Sequence, residues 1–160
     1  MRESDKLPIA LLKSEVVPAL GCTEPIAVAL AVAYARELLD ATVVRVDVKT
    51  SANIYKNGMG VGIPGTGRTG LIIAAALGAV EGKASDELEL LKEVNDAAVQ
   101  RALDLMGRDA VKVSVVEGVE KLFVLATVYD AQEHSASCTI SGSHTNVTSL
   151  MKNGYETLNR

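Results

Sequence analysis

The run from Ile26 to Ala35 is the feature that most restricts what this chain can fold into. It consists of small and apolar residues with a single tyrosine, so a helix here has almost no polar face to turn toward water. Thr23 is a plausible N-cap for this helix, and an acid and a proline follow it in the first turn, where both are tolerated. We therefore expect a helix that begins near Thr23, ends near Leu39 and is buried on all sides.

The rest of the pattern predicts helices first and strands afterwards. Apolar periodicity predicts helices from near Ser4 to before Pro18, over the apolar run Leu71 to Val80, and from about Ser85 to Met106. Strict alternation predicts a strand at Val43–Lys49, and the remainder of the chain predicts antiparallel strands at Val111–Val116, Leu122–Tyr129, Ser135–Ile140, Val147–Met151 and Tyr155–Leu158. The pair Asn153–Gly154 between the last two strands is a strong hairpin signal. We expect an α+β fold with N-terminal helices packed on a mainly antiparallel sheet.

Length and composition narrow the functional classes. The 160 residues, 48% of them hydrophobic, suffice for one domain with a core, and the stop just after a hairpin suggests the N-terminal fragment of a longer protein. A net charge of −4, scattered basic residues and only five aromatic residues argue against nucleic-acid binding. The N-terminus lacks the plan of a signal peptide, and the apolar runs are too short for a membrane span. We expect a soluble, cytoplasmic protein whose two cysteines are reduced.

Cys22 is the first candidate for chemistry. It follows Gly21 and lies just before the predicted N-terminus at Thr23, where unpaired N–H groups and the positive end of the helix dipole favour a thiolate. The glycine leaves room beside the sulfur for a bulky group. From the spacing alone, a small hydrophobic residue in a tight turn remains the alternative.

The loop "GIPGTGRTG" is the second candidate. Gly65, Gly67 and Gly70 match the pattern G-x-G-x-x-G, but the preceding apolar run is short, Pro64 interrupts it, and no series of parallel βαβ units follows. A dinucleotide site is therefore weakly supported. Bare N–H groups at a helix N-terminus can still hold a carboxylate, with help from Arg68, and a simple chain reversal is the other alternative.

The third candidate is the segment "CTISGSHTN". Cys138 alternates with Ala136 and Ile140, which indicates a structural cysteine in the core. His144 and Asn146 follow at the end of a strand, and histidine is the side chain best suited to proton transfer near neutral pH. His134, in a polar turn, is expected to be an ordinary surface residue. No pattern supports a hydrolytic triad or a structural zinc site.

Three blocks in this order, "PALGCTEPIAVALA", "KNGMGVGIPGTG" and "SGSHTN", resemble the N-terminal part of the L-cysteine desulfidase family, which is related to the α chain of iron–sulfur L-serine dehydratases. The resemblance implies an amino-acid lyase that eliminates sulfide or water, with ammonia, to give pyruvate. It also implies an oxygen-sensitive 4Fe-4S cluster held by three cysteines, with Cys22 as one ligand and an open iron as a Lewis acid.

Members of that family are much longer, and their other two cluster cysteines lie in a C-terminal helical half. The resemblance therefore implies that this fragment alone is inactive and holds no cluster, and that the C-terminal half or a companion subunit is its partner. From the chemistry of their side chains and backbone, we expect Asn57, Gly65, Thr66 and Gly67 to bind a small amino-acid substrate.

His144 and Asn146 are expected to move its α-proton or orient it. A homo-oligomer is possible, and no membrane or nucleic-acid partner is expected. The alternative function is a non-catalytic module that binds or senses a small molecule.

Overall fold

A computed structural model describes residues 23–59, 62–63, 68–81, 83–89 and 96–159 of the chain. The helices in these ranges are α1 (Thr23–Leu39), α2 (Ala52–Met59), α3 (Gly70–Val80), a 3₁₀ helix (Ala84–Glu89) and α4 (Asp96–Gly107). The strands are β1 (Arg45–Thr50), β2 (Gly62–Ile63), β3 (Arg68–Thr69), β4 (Val111–Val115), β5 (Phe123–Tyr129), β6 (Ser135–Ser141), β7 (Val147–Lys152) and β8 (Tyr155–Asn159). The helix predicted from near Ser4 to before Pro18 lies outside the described residues.

Six of the strands form one sheet in the order β4-β1-β5-β6-β7-β8, and β2 and β3 form a separate two-stranded ribbon. All neighbours in the large sheet are antiparallel except β1 and β4, which are parallel. The helices precede most of this sheet and pack on it, which confirms the predicted α+β class. The hairpin at Asn153–Gly154 is also confirmed, and both residues have positive φ angles, 52° and 86°, as a type I′ turn requires.

Helix α1 occupies the centre of the structure, as its sequence predicts. It lies over β5 and β6, with α3 alongside it, and α3 in turn contacts β1, β4 and α4. The buried residues of α1 run almost without interruption and include Ile26, Ala27, Val28, Ala29, Leu30, Ala31, Val32, Ala33 and Ala35. Both the sheet and α3 pack closely against α1, and small residues on several faces of α1 permit this packing. None of the described helices is long and apolar enough to cross a membrane.

The sheet buries one face under the helices. Along β5 and β6 every second residue is buried: Val124, Ala126, Val128, Ala136, Cys138 and Ile140. Cys138 is fully buried, as the alternation predicted, and burial raises the pKa of its thiol to about 12. Cys138 is therefore a neutral thiol that belongs to the core.

The structure differs from the sequence prediction in several elements, and the β2–β3 ribbon is one that was not predicted. Helix α2 was not predicted, because a glycine and two asparagines made its segment look like the start of a loop. The single helix from Ser85 to Met106 is wrong, since residues 84–89 form a 3₁₀ helix. There the amide of Ala84 donates to Oε2 of Glu37 across 2.6 Å, a contact with α1 that local periodicity cannot reveal. Strand β4, expected to be antiparallel, is parallel to β1, because the connection between them crosses over through α2, α3, the 3₁₀ helix and α4.

The contact between α1 and α3 predicts a strong effect of one methyl group. A Cβ on Gly78 would lie 2.5 Å from the carbonyl oxygen of Ala29, and this backbone atom cannot move aside cheaply. We expect Gly78→Ala to lower the free energy of unfolding by about 1–3 kcal/mol, measured by urea denaturation. Gly107→Ala, at the end of α4, is the matched control, because a Cβ there has nothing within 4 Å. An unchanged stability of Gly78→Ala would contradict this packing.

Candidate functional site

The topology brings the N-terminus of α1 and two loop segments to one end of the large sheet. Strand β1 ends at Thr50, which pairs with the start of β5, and β5 starts opposite Ser141 at the end of β6. Helix α2 follows β1 at this end, and residues 142–146 connect β6 to β7 there. Helix α1 runs antiparallel to β1, so its first turn lies at the same end. We call this the site end of the sheet.

A side-chain contact joins the first two sequence blocks. Nδ2 of Asn57, on α2, donates to Oε1 of Glu24, in the first turn of α1, across 3.5 Å. Cys22 itself lies outside the described residues, but it immediately precedes Thr23, the first residue of α1. Gly65, Thr66 and Gly67 also lie outside them. Of the proposed substrate-binding residues, the structure thus describes Asn57 and places it beside the start of α1.

Helix α2 is fixed in place by a buried serine cap. Oγ of Ser51 accepts a hydrogen bond from the amide of Ile54 across 3.3 Å and donates one to the carbonyl oxygen of Lys121 across 2.6 Å. The amide of Ser51 also donates to the carbonyl oxygen of Phe123. The cap therefore ties α2 to the segment that leads into β5, and it holds Asn57 in a defined position.

The third block forms a tight turn at the same end of the sheet. Nδ2 of Asn146 donates to the carbonyl oxygen of Ser141 across 2.9 Å, and the amide of Ser141 donates back to the carbonyl oxygen of Asn146. Gly142 has a φ of +87°, a conformation that favours glycine. His144 is half-buried in this turn, and its imidazole has no hydrogen-bond partner among the described residues. Asn146 thus shapes the turn that presents His144.

Glu120 was not a sequence candidate, yet it contacts this turn. Its Oε2 accepts a hydrogen bond from Oγ of Ser141 across 2.7 Å, and it lies close to Gly142. The next residue, Lys121, accepts the hydrogen bond from Oγ of Ser51 with its carbonyl oxygen. Residues 120–121 therefore connect α2 to the turn that carries His144. Sequence offered one usable signal, Ser51 as a cap before α2. Glu120 had none, because its contact spans 21 residues.

His134, the second histidine, lies at the opposite end of the sheet, in the turn between β5 and β6. Its Nδ1 is 3.0 Å from Oδ2 of Asp130, and Oδ1 of Asp130 accepts the amides of Gln132 and His134. Burial of the Asp130 carboxyl acts to raise its pKa, but the hydrogen bonds outweigh it and lower the pKa below the usual range. This pair organises a hairpin turn and lies away from the site end.

Metal ligands are sparse in the residues that the structure describes. No group of three or more His, Cys, Asp and Glu side chains is arranged there to hold a metal ion. Cys138 cannot act as a second thiolate, because it is fully buried with a raised pKa. The chain therefore offers Cys22 as a single candidate thiolate ligand, which by itself does not make a cluster site.

Comparison with known proteins gives consistent relatives. The chain is similar to UPF0597 proteins. It is 50% identical over 151 residues to one from Shewanella pealeana, and this match covers 92% of the chain and 35% of the relative. It is 47% identical over 162 residues to one from Bacteroides fragilis and 41% identical over 148 residues to one from Clostridium tetani. No protein-family model and no solved structure matches the chain.

These relatives correct the sequence analysis. The resemblance to the L-cysteine desulfidase family was wrong as an identification, because the relatives are named UPF0597 proteins and none of those named here is called a desulfidase. The chain spans 35% to 38% of the length of these relatives. Three short blocks fitted the desulfidase pattern, whereas similarity along the whole chain leads to a different name.

The cap at Ser51 generates a stability prediction. Ser51→Ala removes two hydrogen bonds and leaves the carbonyl oxygen of Lys121 without this donor, so we expect the free energy of unfolding to fall by about 1–2 kcal/mol. Urea denaturation followed by circular dichroism measures it. Ser114→Ala, an exposed serine on β4, is the matched control and should change stability by less than about 0.5 kcal/mol. Equal effects of the two substitutions would contradict the role of the cap.

Proposed function

We propose that this chain is part of a lyase that eliminates sulfide or water from a small amino acid, such as L-cysteine or L-serine, and releases ammonia and pyruvate. The hydrogen bond between Asn57 and Glu24 carries the proposal. It joins a polar group suited to orient a small amino acid to the first turn of α1, which Cys22 immediately precedes. The proposal is for a cytoplasmic enzyme, where a reactive thiolate stays reduced.

The proposed reaction needs a group that removes the α-proton and groups that hold the amino acid. His144 is the candidate for proton removal, because an imidazole nitrogen can accept a proton and this one has no competing hydrogen-bond partner among the described residues. The side chain of Asn57 is the candidate for orienting the amino acid near the start of α1. Asn146 supports the reaction indirectly, since it shapes the turn on which His144 lies.

An iron–sulfur cluster is compatible with this proposal only if ligands come from outside the chain. Cys22 immediately precedes Thr23, the first residue of α1, and a thiolate at a helix N-terminus is stabilised by the helix dipole. Cys138 is excluded as a ligand by its burial in the sheet. The cluster would therefore require a further part of the protein or a companion subunit, and the roles of His144 and Asn57 do not depend on its details.

The experiment compares the whole gene product with its Cys22→Ala variant, both reconstituted with iron and sulfide without oxygen. We expect the unaltered protein to release sulfide from L-cysteine or pyruvate from L-serine, and the variant to lose activity by at least about 100-fold, because a missing ligand weakens the metal site. Cluster absorbance should fall in parallel. Cys138→Ala is the matched control and should retain both properties.

Full activity in Cys22→Ala would contradict the role of this residue. Binding of L-cysteine or L-serine by the unaltered protein without any turnover would reject the lyase and leave the alternative, a module that binds a small molecule.

A further inference from the structure

A cleft of about 480 Å³ opens at the site end of the sheet, between α2 and the segment 116–121 that connects β4 to β5. This segment is tethered at both ends. The amide of Val116 donates to the carbonyl oxygen of Thr50, and the carbonyl oxygen of Lys121 accepts from Oγ of Ser51. Both anchors lie at the junction between β1 and α2, so the two walls of the cleft hold a fixed relation to each other. A ligand here would meet a preorganised site.

The charged side chains of this cleft are balanced and unpaired. Lys56 on α2 and Lys121 on the segment are its cations, and Glu117 and Glu120 are its anions. Within the described part of the chain none of these four side chains forms an ion pair, and Glu120 alone has a hydrogen bond, from Ser141. Opposite charges therefore line one cleft without neutralising each other directly. Val116 and Val119 add apolar surface between them.

A second cleft, at the other end of the sheet, shows that a cavity alone does not make charged side chains available to a ligand. It has a volume of about 530 Å³ and contains Arg36 and Arg101. There the arginines already have acidic partners, because Arg36 lies 4.0 Å from Glu37 and Arg101 lies 3.6 Å from Glu81. A ligand entering that cleft would have to compete with existing ion pairs. In the cleft beside α2 the charges are available.

We propose that the cleft between α2 and residues 116–121 binds a small zwitterionic amino acid. The ammonium groups of Lys56 and Lys121 contact its carboxylate, and charge-assisted hydrogen bonds of this kind are the stronger ones. The carboxylates of Glu117 and Glu120 contact its ammonium group. A short side chain fits against Val116 and Val119. Glu120 connects the site to the turn that carries His144, through Ser141.

This inference rests on the proposed function for the choice of ligand, and it deepens it by locating the amino acid. The test titrates L-serine into the ¹⁵N-labelled 160-residue chain and follows amide signals by NMR. We expect saturable shifts at Asn53 and Gly118, which line the cleft, and none at Asp40 in the second cleft. Acetate and methylammonium, each with one of the two charges, should bind at least about tenfold more weakly, since each loses about 1.4 kcal/mol or more of contact energy.

Two variants test the charges. Glu117→Gln and Lys121→Gln should each weaken L-serine binding by at least about fivefold, because each removes one charged contact. Both side chains are exposed and unpaired, so the fold should persist and the dispersion of the NMR signals will verify it. Lys112→Gln, an exposed lysine on β4 outside the cleft, is the matched control and should bind as the unaltered chain does.

Absence of saturable shifts, acetate binding as tight as L-serine binding, or unchanged affinity in Glu117→Gln would each overturn the inference. The outcome is separable from that of the proposed function. Lyase activity of the whole gene product without binding in this cleft would mean that the substrate is held elsewhere. Binding in the cleft without lyase activity would keep the amino-acid site and reject the reaction.

Discussion

The packing of α1 between the sheet and α3 is the constraint on which the rest of the structure depends. Between Ala27 and Ala33, α1 consists of alanine and valine with one leucine, so the sheet below and the helix beside it can both approach closely. At Gly78 the two helices approach so closely that the glycine faces the backbone at Ala29 with no side chain in between. The identity of these small residues therefore fixes the position and direction of α1.

The direction of α1 determines which segments lie near its first turn. Because α1 runs antiparallel to β1, its first turn lies at the end of the sheet where β1 is followed by α2 and where a turn connects β6 to β7. Glu24, Asn57 and the turn that carries His144, which are far apart along the chain, thus lie at one end of the sheet. Short polar contacts then refine the arrangement: Glu24 with Asn57, the cap at Ser51, and Glu120 with Ser141. Packing of α1 brings these segments to the same end of the sheet, and the hydrogen bonds fix their side chains relative to one another.

Sequence predicted the parts of the fold that local patterns control. The buried helix at 23–39 and the hairpin at Asn153–Gly154 follow from composition and turn chemistry, and both are confirmed. The 3₁₀ helix at 84–89 was missed because a contact with α1 determines it. Glu120 could not be found from sequence, since it lies in a loop and its partner, Ser141, lies at the end of β6. The desulfidase identification was wrong, because it rested on three short blocks of sequence.

One measurement tests the shared end of the sheet directly. A nitroxide label can be directed to Cys22, because the other cysteine, Cys138, is fully buried and burial raises the pKa of its thiol to about 12. Paramagnetic broadening of amide signals then reports which residues lie near the start of α1. We expect strong broadening at Asn57 and His144 and little at Glu133, in the turn at the opposite end. Strong broadening at Glu133 with sharp signals at Asn57 and His144 would contradict it.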